Sequence, residues 1–114
     1  DSLSIIMLDP VEVTQRYLHL ADENDIFVAL THIGYNNDKK LAMRFPQIDI
    51  IIGGHSHTFL ENAEMINTVL VAHAGGSEHV VAKDHKKYLG EIVVTMENGR
   101  VIDKRGHVMV LPLP

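Results

Sequence analysis

The chain has 114 residues, fifteen acidic against ten basic, no cysteine, and an ordinary globular balance of 46% hydrophobic and 22% charged residues. That length fits one domain or part of one, and the composition argues against a disordered tail. A net charge of −5 leaves no basic footprint for a nucleic acid polymer, and without a thiol there is no disulfide, thiolate metal site or cysteine nucleophile. The longest apolar runs, such as Ile50-Ile51-Ile52, are far too short to span a bilayer. No basic segment followed by a long apolar stretch marks a leader at Asp1.

Leu3 to Leu8 (LSIIML) is an apolar run suited to a buried strand. Asp9-Pro10-Val11-Glu12 signals a helix start: Asp9 can accept from free N–H groups, Pro10 fits the first helical position, and Glu12 can complete a capping box. Val13, Tyr17, Leu20 and Ala21 share one face, which predicts a helix down to about Asn24. Ile26 to Leu30 predicts a strand covered on both faces. A polar turn is expected over Gly34 to Asn37, then a short helix with Leu41, Ala42 and Phe45 inward, stopped by Pro46. Ile48 to Ile52 predicts a third buried strand, ending in Gly53-Gly54. This β-α-β-α-β order with short connections implies a parallel sheet with crossover helices. Thr68 to Ala74, Val80 to Ala82, Glu91 to Glu97 and Arg100 to Val110 predict a mostly antiparallel β-rich end, with Glu97-Asn98-Gly99 as a hairpin turn.

Eight histidines make metal binding worth weighing, and three of them sit where buried strands end: His32 in ALTHIG, and His55 and His57 in IIGGHSH. Neighbouring parallel strands release their C-terminal loops on one edge, where open α/β sheets bind ligands, so His32, His55 and His57 are expected to converge. Neutral imidazole suits divalent transition metals. Gly53 and Gly54 are expected to provide a sharp turn. An extended His-x-His would point both rings one way, to hold one ion, or two adjacent ions if the backbone bends at the glycines. With eight histidines, a chance His-x-His is common, so the spacing alone is a weak signal. A hydrogen-bonded structural role competes for each ring. Asp49 and Thr31 are candidates to orient ligands from behind; for Asp49, a role at the start of its strand competes. His73, before Gly75-Gly76, is a lesser candidate to line the site, while His19, His79, His85 and His107 read as surface groups. Ser56 lacks a G-x-S-x-G elbow, which argues against a serine hydrolase.

The segments THIG and IDIIIGGHSH, with DPVEVTQRYLHLADENDIFVAL before them and TVLVAHAGG and KKYLGEIVVTMENGRVID after, resemble the calcineurin-like metallophosphoesterases. Within them the likeness is to the 5′-nucleotidase and 2′,3′-cyclic-nucleotide phosphodiesterase group, over nearly the whole chain. The resemblance implies the C-terminal half of an αββα sandwich whose parent hydrolyses nucleotide phosphate esters at two divalent ions (Zn, Mn, Fe or Co). It places His32 and His55 on one ion and His57 on the other. The Asp-x-His, Gly-Asp-x-x-Asp and Gly-Asn-His motifs of that family's N-terminal half do not occur, nor does its nucleoside-recognising domain. Residues 1–114 are therefore expected to be a partial catalytic domain that lacks catalytic residues of its own and is inactive alone. Its exposed sheet edge is expected to favour pairing with the missing half or self-association. The family's habit of export implies a periplasmic, cell-wall or secreted setting. The rival from another class is a non-catalytic α/β module with structural histidines or a single metal site.

Overall fold

The computed structural model describes residues 4–76 and 86–112, and its core is assembled on helix α3 (Tyr35–Arg44). Asp38, Leu41, Ala42 and Phe45 fall at i, i+3, i+4 and i+7 and are all buried. The Phe45 N–H closes the helix on the Leu41 carbonyl, and Pro46 prevents another turn. Facing this stripe are Ile51 of β2 (Ile50–Ile52) and Val69 and Val71 of β4 (Val69–Ala72), each fully buried, with Ile48 beside them. Each such aliphatic side chain contributes about 1.5–3 kcal/mol by leaving water.

The four-stranded sheet runs β1 (Val28–Leu30), β2, β4, β3 (Glu64–Ile66). β1, β2 and β4 are parallel, in register Ala29 to Ile51 to Val71, and β3 is antiparallel to β4. A long hairpin of β5 (Lys86–Glu97) and β6 (Arg100–Pro112) lies across the face opposite α3. It is tied on by Ala63 N–H to Gly106 O at 2.8 Å and Val108 N–H to Glu61 O at 2.8 Å. The Lys104 ammonium reaches the Asp49 carbonyl at 2.8 Å and the Thr68 carbonyl; burial lowers its pKa, against an upward pull from Asp49. Asn98 and Gly99, with φ of 52° and 75°, form the tight turn that an Asn-Gly pair favours.

The α/β class and the β-rich end are as expected; several boundaries differ. Ser4 to Asp9 forms neither helix nor strand, and Ile5, Ile6 and Met7 are 80%, 81% and 86% exposed. A strand needs a ladder partner, and none of the described residues pairs with this run. The expected helix to Asn24 is two pieces, α1 (Pro10–Tyr17) and α2 (Leu20–Glu23), neither with a buried residue. Asp9 does cap α1, accepting from Val11 N–H at 2.9 Å. β1 is covered on one face only, with Val28 and Leu30 exposed, because the hairpin packs on β4 instead. The polar segment from Tyr35 to Asn37 is the first turn of α3 rather than a loop. β3 was not expected; its turn into β4 is marked by Asn67 at φ 56°. β5 begins at Lys86, earlier than the predicted Glu91, and the predicted strand Val80 to Ala82 lies outside the described residues.

Ile51→Ala is expected to cost about 2–5 kcal/mol in urea unfolding. Ile6→Ala should stay within about 0.5 kcal/mol. Comparable losses at both positions would contradict this burial pattern.

Candidate metal centre

Parallel pairing sets the three strand exits side by side. Thr31 N–H meets Ile52 O at 2.9 Å and Gly34 N–H meets Gly54 O at 3.1 Å, so the loop after β1 stays zipped to the loop after β2. Gly53 N–H meets Ala72 O at 3.0 Å, and Gly75 N–H meets Thr58 O at 2.9 Å, joining that loop to the exit of β4.

On this rim the His32 and His55 rings meet edge to face, centroids 5.2 Å apart. Two imidazoles on one tetrahedral ion, each with a metal–nitrogen distance of about 2.0–2.1 Å, would hold their centroids about 5 Å apart. The pair therefore fits a shared cation, and both rings line a cleft of about 320 Å³ with Asp9, Asn37 and Lys40. The His57 ring lies elsewhere, against Gly76 at the β4 exit, where a Cβ would fall 2.3 Å from His57 Cγ. Among the described residues no group of three or more His, Asp or Glu side chains is placed to hold an ion by itself.

The bend comes from the histidines, not from the glycines as expected. His55 and His57 have φ of 83° and 57°, whereas Gly53 and Gly54 are not left-handed. Positive φ is uncommon outside glycine and concentrates at functional sites, and it rules out an extended His-x-His with both rings on one side. The glycines provide close approach: a Cβ on Gly53 would fall 1.9 Å from Asp38 Oδ2 and 2.4 Å from His73 Nε2, and one on Gly54 would fall 3.1 Å from His32 Nδ1.

Behind the rim, Asp38 and His73 form a buried pair, 0% and 3% exposed, with His73 Nε2 to Asp38 Oδ2 at 2.7 Å. The Thr31 hydroxyl donates to Asp38 Oδ1 at 2.7 Å, so Thr31 orients α3 against the β1 exit. The Tyr35 ring stands edge-on to His73 at 5.4 Å, and its hydroxyl donates to Glu64. Burial, then the hydrogen bond to Glu64 and its charge, push the Tyr35 phenol up to about 12. Asp49 sits at the opposite end of β2 from the imidazoles, accepting from Phe27 N–H at 2.8 Å, so it braces the strand start and touches no candidate ligand. Ser56 has a structural role: its Oγ accepts from Tyr35 N–H at 3.0 Å, satisfying the first turn of α3, where Gly34 offers no side chain.

His107 is exposed and paired with Glu91 at 3.6 Å, and His19 is exposed and stacked on Tyr17, as expected for surface groups. His79 and His85 lie outside the described residues. Asp38 was the buried polar residue missed. Its signal was the helical spacing that puts an acid on the same stripe as Leu41, Ala42 and Phe45.

No family profile matches the chain. It is 34% identical over 96% of its length to the trifunctional nucleotide phosphoesterase protein YfkN of Bacillus subtilis (strain 168). It is 30% identical over 86% of its length to the uncharacterized metallophosphoesterase YunD of the same organism, and 29% identical over 94% to a 5′-nucleotidase of Diplobatis ommata. The chain spans 8%, 20% and 21% of those proteins respectively. A crystal structure of a hypothetical protein from Thermus thermophilus shares the fold, with a TM-score of 0.61 at 16% identity over 96% of this chain and 54% of that one. Proteins bearing phosphoesterase and 5′-nucleotidase names thus align over most of this chain, as the C-terminal region of a 5′-nucleotidase-like domain does.

Gly53→Ala is expected to prevent folding or cost more than about 4 kcal/mol, because the added Cβ meets the buried Asp38 and His73 side chains. Ser56→Ala should cost about 0.5–2 kcal/mol, the scale of a lost helix cap. For Tyr35 the folded pKa of about 12 exceeds the ordinary 10.0, so its contribution to stability is complete below pH 10.0 and is lost as pH rises toward about 12. Comparing alkaline unfolding of the native chain with Tyr35→Phe isolates that loss, and identical profiles would refute it.

Proposed function

We propose that this chain, a homologue of part of the 5′-nucleotidase-like metallophosphoesterases, supplies imidazole ligands to a two-metal site that hydrolyses nucleotide phosphate esters. The observation that supports this most is the His32–His55 pair, 5.2 Å apart at adjacent strand exits. His32 and His55 would hold one divalent ion and His57, on the β4 side, would serve the second; Zn, Mn, Fe and Co all suit such donors. Bound cations supply charge neutralisation for phosphoryl oxygens and activation of water. Lys40, on the same cleft, offers a positive charge to an anionic ester. The left-handed backbone at His55 and His57 holds the two rings apart, one toward β1 and one toward β4.

Three imidazoles cannot complete two coordination spheres, so the 114 residues alone are expected to bind metal weakly and to be inactive. The outer edge of β1, beside exposed Val28 and Leu30, has no partner among the described residues. It is proposed to accept a further strand, from the rest of a larger domain or from a second copy. An exported setting is proposed from the family resemblance. No helix among the described residues is long and apolar enough to cross a membrane.

Calorimetric titration with Zn²⁺ tests the ligand assignment. His32→Ala and His55→Ala should each weaken binding by at least about tenfold, while His107→Ala should not. Affinity should also fall on acidification, because protons compete for the same nitrogens. Equal affinity in all variants, or affinity unchanged in acid, would contradict the proposal. Sedimentation equilibrium is expected to show self-association as concentration rises; a monomer throughout would count against an adhesive β1 edge.

A further inference from the structure

One carboxylate touches all three strand exits that carry the rim. Asp38 reaches from α3 with Oδ1 accepting from Thr31 at 2.7 Å and Oδ2 against His73 Nε2 at 2.7 Å. The same Oδ2 lies 1.9 Å from where a Cβ of Gly53 would stand, so the carboxylate is seated on the backbone of the β2 exit. Thr31 directly precedes His32, Gly53 lies two residues before His55, and His73 lies three residues before Gly76, on which the His57 ring leans. Asp38 is fully buried and its side-chain hydrogen bonds go to Thr31 and His73, not to His32, His55 or His57, so it acts on those rings through the loops that carry them.

We infer that Asp38 is a positioning residue: its carboxylate, clamped between Thr31 and His73, sets the spacing of the His32 and His55 loops and thereby the affinity of the rim for a divalent cation. The metal half of this inference rests on the proposed ligand role of those histidines; the spacing half does not. The carboxylate accepts the Thr31 O–H at one oxygen and is bonded to His73 Nε2 at the other, so one side chain holds both strand exits. Leucine is close in size and has no polar atom, so in Asp38→Leu both Thr31 and His73 lose their partner.

The test uses the metal-free chain and Co²⁺ as probe, with His73→Gln and His73→Leu as a conservative and a disruptive pair. Nuclear Overhauser contacts between the His32 and His55 ring protons are expected in the native chain, with its 5.2 Å centroid separation. They should vanish in folded Asp38→Leu, and Co²⁺ affinity should fall at least about tenfold. His73→Gln, whose amide N–H can replace Nε2–H, should keep the contacts and stay within about threefold of native affinity, and His73→Leu should not. Should Asp38→Leu fail to fold, the His73 pair decides. Intact ring contacts in folded Asp38→Leu, or His73→Gln behaving like His73→Leu, would overturn the inference. If the ring contacts respond as described but His32→Ala leaves Co²⁺ binding unchanged, the metal assignment fails and the positioning role stands.

Discussion

A carboxylate placed wholly out of water is costly unless both oxygens are met, and Asp38 meets that demand with a threonine hydroxyl and a histidine ring. The rest of the rim follows from it. Gly53 must be glycine because the pair occupies the space of its Cβ. With Gly53 fixed, the chain leaves β2 at a set height and reaches His55 in a left-handed conformation that brings its ring to His32. Removing one partner of such a pair leaves a buried polar group unsatisfied, which costs about 1–3 kcal/mol in comparable cases.

The division of labour between the two faces of the sheet explains why the site stays open. α3 and the aliphatic residues of β2 and β4 form the dry core on one side, and the β5–β6 hairpin closes the other side over β4. A second, mainly apolar cavity of about 170 Å³ lies under that hairpin, bounded by His73, and it contains none of the three rim imidazoles. His32, His55 and His57 are left exposed at the strand ends, where side chains can act on a ligand without disturbing the core.

Periodicity alone carried much of the architecture. The stripe Leu41, Ala42, Phe45 with Pro46 beyond it marked α3, the run ending in Gly53-Gly54 marked β2, and Asn98-Gly99 marked the hairpin turn. What stayed hidden depended on contacts distant in sequence. Ile5 and Ile6 read as a buried strand because pattern cannot say whether a ladder partner exists. The same blindness made β1 appear covered on both faces. Within the site, the meeting of His32 and His55 was legible from strand ends, while the separation of His57 was not, because it follows from the left-handed backbone at His55 and His57. The Asp38–His73 bond spans 35 residues and could not be read locally. Nor could the use of Ser56 in place of a helix cap, since its partner Tyr35 lies 21 residues away.

The most direct test of this arrangement is X-ray absorption on the zinc-loaded chain. At least two imidazole nitrogens per ion at about 2.0–2.1 Å are predicted, falling by one in His32→Ala and again in the double variant with His55→Ala. Oxygen-only coordination, or a nitrogen count indifferent to both substitutions, would show that these rings do not share a cation.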